Sequence, residues 1–70
     1  MTLAERIRAE RKAKQLTQQE LAHRAGMSLR AYISLELGEA VDPHISTLRR
    51  IASGLDLPVE ELLTGKALAR

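Results

Sequence analysis

Residues 25–39 read AGMSLRAYISLELGE, and their apolar positions fall on two sides of one helix. At about 100° per residue, Ala31, Tyr32 and Leu35 share a face. Leu29, Ile33 and Leu37 form an i, i+4, i+8 stripe well away from it. One stripe is enough for a core, so the second needs another purpose.

Helical spacing continues through the rest of the chain, and no β-branched run marks a strand. The first predicted helix spans Leu3 to Lys14, with Thr2 as N-cap, Glu5 completing a capping box, and Leu3 and Ile7 facing inward. Arg11, Lys12 and Lys14 in its last turn suit the negative end of the helix dipole. A short second helix follows Thr17, whose partner in a second Thr-x-x-Glu box is Glu20; it buries Leu21 and Ala22 and stops at Gly26. Ser28 caps the third helix, which ends at Gly38. Two short helices joined through a glycine turn make a helix-turn-helix unit.

After the loop EAVDPHI, Ser46 or Thr47 is expected to cap a fourth helix with Leu48, Ile51, Ala52 and Leu55 in the core and Gly54 weakening its end. Pro58 suits the first turn of a fifth helix, VEELL, where Glu60 and Glu61 favour the positive dipole end. The fold class is therefore all-α, one domain over residues 1–64 with a loose tail, KALAR, in residues 65–70. A chain of 70 residues buries only about 60% of the surface it exposes when unfolded, so self-association would help it.

The absence of Cys removes disulfides, thiolate zinc sites and a thiol nucleophile, and fits a reducing compartment. No apolar run approaches the ~20 residues of a membrane span, and the charged start MTLAERIRAER lacks the apolar block of a signal peptide. A cytoplasmic protein with no membrane partner is expected. Net charge is only +2, but residues 1–24 carry six Lys/Arg against three Asp/Glu. Such a basic front is compatible with a polyanion, and equally with a solvated helix. Tyr32 is the only aromatic residue, so the stacking platforms of single-strand binders are missing and duplex DNA is the better polyanion. His23 and His44 are isolated, the carboxylates are scattered, and there is no Gly-rich phosphate loop or metal-ligand spacing. Neither an enzyme, a metal site nor a cofactor is expected.

LTQQELAHRAGMS at residues 16–28, then LELGE, a proline loop and TLRRIASGLDLPVEELL, resemble the phage repressor and Cro-like helix-turn-helix family over about residues 3–63. The resemblance implies a compact five-helix bundle of the lambda-repressor type, in a transcriptional regulator whose two subunits read a palindromic operator. Helix 3 would enter the major groove and helix 2 would cross above it. The family's base-reading positions fall on Leu29, Arg30 and Ser34, and its phosphate-contacting positions on Gln18 and Ser28 at the starts of helices 2 and 3. Arg30 is the sharpest probe, since its planar fork can bond O6 and N7 of guanine together. Ser34 discriminates poorly, and Leu29 can contact a thymine methyl. Ile33 and Leu37 would lie beside the backbone on the groove-facing side. Arg11 and Glu36 occupy the positions of a partly buried structural ion pair.

The chain also departs from the family. Leu29 stands where Gln is frequent, and Leu37 and Glu39 stand where Arg, Lys or Asn commonly face phosphate. With Glu39 and Asp42 and no Lys or Arg in that loop, binding is expected to lean on helix 1 and on Arg49 and Arg50. Leu57, Val59, Leu62 and Leu63 supply apolar groups around helix 5, making Leu57, Val59 and Leu63 the expected homodimer surface. The two reading helices would then lie about 34 Å apart. The alternative is a protein-interaction module, of the antitoxin or controller kind, whose Leu29, Ile33 and Leu37 face binds a polypeptide partner.

Overall fold

Three side-chain hydroxyls fix where the first three helices begin. The Thr2 Oγ1 accepts from the Glu5 N–H at 3.2 Å while the Thr2 N–H donates to the Glu5 carboxylate at 2.9 Å. Thr17 and Glu20 repeat the arrangement at 3.0 and 2.8 Å, and the Ser28 Oγ accepts from the Ala31 N–H at 3.1 Å. Each satisfies N–H groups that a helix start otherwise leaves unpaired. The Thr2 and Thr17 N–H groups also hold the Glu5 and Glu20 carboxyls below their ordinary range.

The computed structural model describes residues 2–39 and 43–64. Its helices are α1 (Leu3–Ala13), α2 (Gln18–Arg24), α3 (Leu29–Glu36), α4 (Ile45–Gly54) and α5 (Val59–Thr64), with no strand among the described residues. Ala40, Val41, Asp42 and the tail from Gly65 to Arg70 lie outside them, so the expected acidic Asp42 and loose tail are not described.

The first four helices end alike. Gly26 and Gly38 take left-handed φ values of 67° and 78°, letting the Met27 and Glu39 N–H groups reach back to the Ala22 and Ser34 carbonyls. Gln15 and Asp56 do the same for α1 and α4 at φ 58° and 57°, with Leu16 bonded to Arg11 and Leu57 to Ala52. Those two stops carry no glycine, and the sequence pattern did not reveal them.

The buried side chains form one core, with Ile7, Leu21, Tyr32, Ile51, Leu55 and Leu62 the largest and most enclosed. α3 packs on α1 and α2, while α4 packs on α2 and α5. Gly54 lies where α4 meets α2, and a Cβ there would come within 3.0 Å of the Leu21 Cδ1 and 3.1 Å of the Arg24 Cβ. The Arg24 side chain donates to the Gly54 carbonyl at 3.3 Å, and Arg6 donates to the Leu62 and Leu63 carbonyls at 3.1 and 2.7 Å. Both arginines thus satisfy carbonyls at the end of another helix.

Several expectations need correction. Ser46 and Thr47 do not cap α4; the helix begins at Ile45, His44 holds the N-cap without a side-chain bond, and the Leu48 N–H already bonds the His44 carbonyl. Pro58 sits just before α5, its carbonyl accepting from the Glu61 N–H. Ala31 is exposed rather than core, because the inner edge of α3 is Tyr32, Leu35 and Glu36, and Ala31 lies about 100° round from Tyr32.

Gly26→Ala tests the turn between α2 and α3. No atom lies within 4 Å of the added Cβ, so only the left-handed backbone opposes it. A loss of about 1 kcal/mol is expected. It should appear as a fall of roughly 4–8 °C in the thermal midpoint, smaller for Gly26→Asn.

Candidate nucleic-acid interface

The end of α1 and the end of α3 meet in one polar cluster. The Arg11 Nε and Nη2 donate to the two oxygens of the Glu36 carboxylate at 3.0 and 3.1 Å. The Arg11 Nη1 donates to the Leu16 carbonyl at 2.8 Å, and the Gln18 Nε2 to the Glu36 Oε1 at 3.2 Å. The fork-to-fork pair is strong and directional, and with side-chain exposures of only 11% and 6% it is poorly screened. It locks α1, the α1–α2 turn and the start of α2 onto α3.

Burial pushes the Glu36 carboxyl up, but the hydrogen bonds from Arg11 and Gln18, with the nearby Tyr32 hydroxyl, outweigh it and hold the group below the ordinary value of 4.5. The same hydrogen bonds outweigh burial at Arg11 and raise its pKa. The Tyr32 hydroxyl lies inside the core and not at its rim. It is fully enclosed with no hydrogen bond of good geometry, and burial beside the Glu36 carboxylate pushes its pKa up.

This clamp turns the opposite side of α3 outward. Leu29 is 40% exposed and Leu37 65%, Arg30 is exposed, and Ile33 and Ser34 are half-buried. Leu29, Arg30, Ile33, Ser34 and Leu37 thus share one surface of a rigidly held helix. Ser28, at its start, accepts the capping bond through oxygen and keeps its hydroxyl hydrogen for an outside acceptor. Gln18 is half-buried, and with one amide hydrogen on Glu36 it retains a second.

A groove of about 550 Å³ runs from this surface onto α1, lined by Leu3, Ala4, Arg8, Leu35, Leu37 and Pro43 among others. Arg49 and Arg50 are exposed on α4, which packs mainly on α2 and α5 rather than on α3. Of the apolar residues around helix 5, Leu57 and Val59 are half-buried against the core and Leu62 is buried, leaving Leu63 at 42% exposure. Ile45 is also exposed, at 47%. Sequence reading missed it because it placed the start of α4 after Ile45. It also missed the groove and the Gln18–Glu36 bond, which join positions far apart in the chain and leave no periodic trace.

Among the described residues no group of three acidic, His or Cys side chains is placed to hold a metal ion. No helix among them is long and apolar enough to cross a membrane.

A helix-turn-helix family model matches residues 7–62. The chain is 34% identical to the immunity repressor protein of Bacillus phage phi105 over 70 residues, all of this chain and 48% of that protein. It is 38% identical over 64 residues to the HTH-type transcriptional regulator YqaE of Bacillus subtilis, covering 91% of this chain and 54% of the other. The cryptic phage CTXphi transcriptional repressor RstR of Vibrio cholerae is 37% identical over 62 residues, with coverage of 89% and 54%. The chain spans about half the length of these relatives.

Removing one partner of the clamp strands the other charge. Arg11→Ala is expected to cost about 3–5 kcal/mol, lowering the midpoint by at least roughly 10 °C. Replacing both, as Arg11→Met with Glu36→Leu, should recover much of the loss. A lowered carboxyl pKa contributes stability that is present above its unfolded value and lost as pH falls through the folded one. Wild-type melting should therefore hold from about pH 7 to about pH 5 and decline below. Glu36→Gln should melt lower at neutral pH and decline less in acid.

Proposed function

The chain belongs to the helix-turn-helix family, and from that footing we propose that it is a sequence-specific double-stranded DNA-binding transcriptional regulator, a repressor, that reads its operator through the major groove with α3. The observation that carries this reading is the outward face of α3. It projects one bidentate donor, Arg30, among Leu29, Ile33, Ser34 and Leu37, on a helix fixed from behind by the Arg11–Glu36 pair. Leu29, Arg30 and Ser34 face base edges, with Arg30 on a guanine and Leu29 on a thymine methyl. Gln18 and Ser28 donate to phosphates, and Ile33 and Leu37 pack along the sugar edges beside the backbone. Its names as repressors and regulators belong to the relatives; the same role here is supported by 34–38% identity across nearly the whole chain.

Two copies would bind a palindromic site, joined through exposed Leu63 with the outer edges of Leu57 and Val59. Acting on DNA, the protein would work in the cytoplasm with no membrane partner and no cofactor. A second reading is favoured by the exposure of Leu29 and Leu37 beside the exposed Glu39: the same face docks on a polypeptide partner.

Selection of bound duplexes from a random pool, followed by salt titration of the winner, tests the proposal. A palindromic site with steep salt dependence is expected, and flat, sequence-independent retention would favour the polypeptide partner. Arg30→Ala should weaken binding to the selected site by about 1–3 kcal/mol per half-site and relax the preference at one guanine in each half. Leu29→Gln and Ile33→Ser should leave folding nearly intact while changing the base preference recovered by selection.

A further inference from the structure

We infer that Arg8 contacts a phosphate of the bound duplex and supplies a cation that the loop after α3 lacks; this rests on the DNA-binding reading above. The backbone of a duplex is uniformly negative, so the protein edge flanking a reading helix has to offer it cations or hydrogen-bond donors. From Leu37 to Leu48 the sequence holds no Lys or Arg, and Glu39 is exposed. The positive charge must then come from another element that reaches the same surface.

α1 is that element. It packs on α3, with Ala4 close enough to Gly38 that an added Cβ would sit 3.9 Å from it. Of the basic side chains in the first half of the molecule, Arg6, Arg11 and Arg24 are committed to carbonyls and to Glu36. Arg8 is exposed and makes no hydrogen bond or ion pair among the described residues. It lines the groove together with Leu37 and Gly38, and so stands where the outer stripe of α3 continues onto α1.

Among the described residues two carboxylates line the same groove, and neither captures Arg8. Glu36 is held in the clamp by Arg11 and Gln18. Glu5, one turn before Arg8, keeps one oxygen on the Thr2 N–H at 2.9 Å and acts on Arg8 only through its field. A guanidinium with several open donors, on a surface continuous with the reading face, matches the geometry of a phosphate oxygen pair. Because a phosphate carries no base identity, Arg8 sets affinity and register and leaves sequence preference to α3.

The test measures binding of wild type, Arg8→Gln, Arg8→Lys and Lys12→Gln to a duplex recovered from the random pool, over a range of salt. Loss of one phosphate contact in each of the two bound copies should reduce the slope of log affinity against log salt by about 1.8 in Arg8→Gln. Between 50 and 200 mM salt its affinity should therefore fall about 12-fold less than that of wild type. Arg8→Lys should retain the slope, and the selected site should be the same for all. Lys12 is exposed on α1 outside the groove, so Lys12→Gln should change the slope less. Arg8→Gln should melt with wild type.

An unchanged slope in Arg8→Gln would overturn the inference, as would equal losses in Arg8→Gln and Lys12→Gln, which would mean a general charge effect. A clear fall in the melting temperature of Arg8→Gln would make Arg8 structural instead. Flat, sequence-independent retention of wild type would overturn the DNA-binding reading itself, and is distinct from all of these.

Discussion

The Arg11–Glu36 pair is the constraint around which the molecule is arranged. Two charges with so little contact with solvent can be held only by good geometry and by further donors. Both conditions are met, through the two parallel hydrogen bonds between guanidinium and carboxylate and through Gln18 and the Leu16 carbonyl. The consequence is orientational more than energetic. α3 carries apolar groups on two sides, and burial of its Glu36 edge decides which side is inner. Rotation of α3 would bring Leu29 or Ile33 inward only by exposing Tyr32 and stranding Arg11.

A second constraint is smallness. Short helices cannot stand alone in water, so the first three are fixed at both ends by capping and all of them by packing. The hydroxyl caps and left-handed stops define the first three helices, and the arginine bonds to carbonyls at Gly54, Leu62 and Leu63 attach helix ends to their neighbours. Few side chains are left for anything else. Three arginines serve the scaffold, which among the described residues limits the cations left for a polyanion to Arg8, Arg30, Arg49, Arg50, Lys12 and Lys14. An apolar reading face with one sharp donor follows from that economy. Its contacts would weigh thymine methyls and shape above a dense pattern of hydrogen bonds.

Helix number, order and most of the core were legible in the sequence, because local signals carried them. Thr2 and Thr17 each had their Glu three residues on, Ser28 followed a glycine, and Leu48, Ile51, Ala52 and Leu55 kept the helical period. Where local signals were absent or double, the reading failed. Gln15 and Asp56 stop helices without glycine, and two hydroxyl residues drew the start of α4 away from Ile45. Ala31 was placed in the core because alanine is apolar, while packing drew the inner edge of α3 through the charged Glu36.

By itself, then, the sequence determined an all-α chain with a helix-turn-helix at its centre and two apolar stripes on the third helix, since caps, turns and periodicity act over a few residues. Only the tertiary structure decided which stripe faces out, that the Tyr32 hydroxyl is enclosed, that Gln18 joins the Arg11–Glu36 clamp and that Arg8 shares a groove with Leu37. Those facts depend on contacts between helices distant in the chain. Their geometry is set by the packing of side chains against one another, which no local pattern encodes.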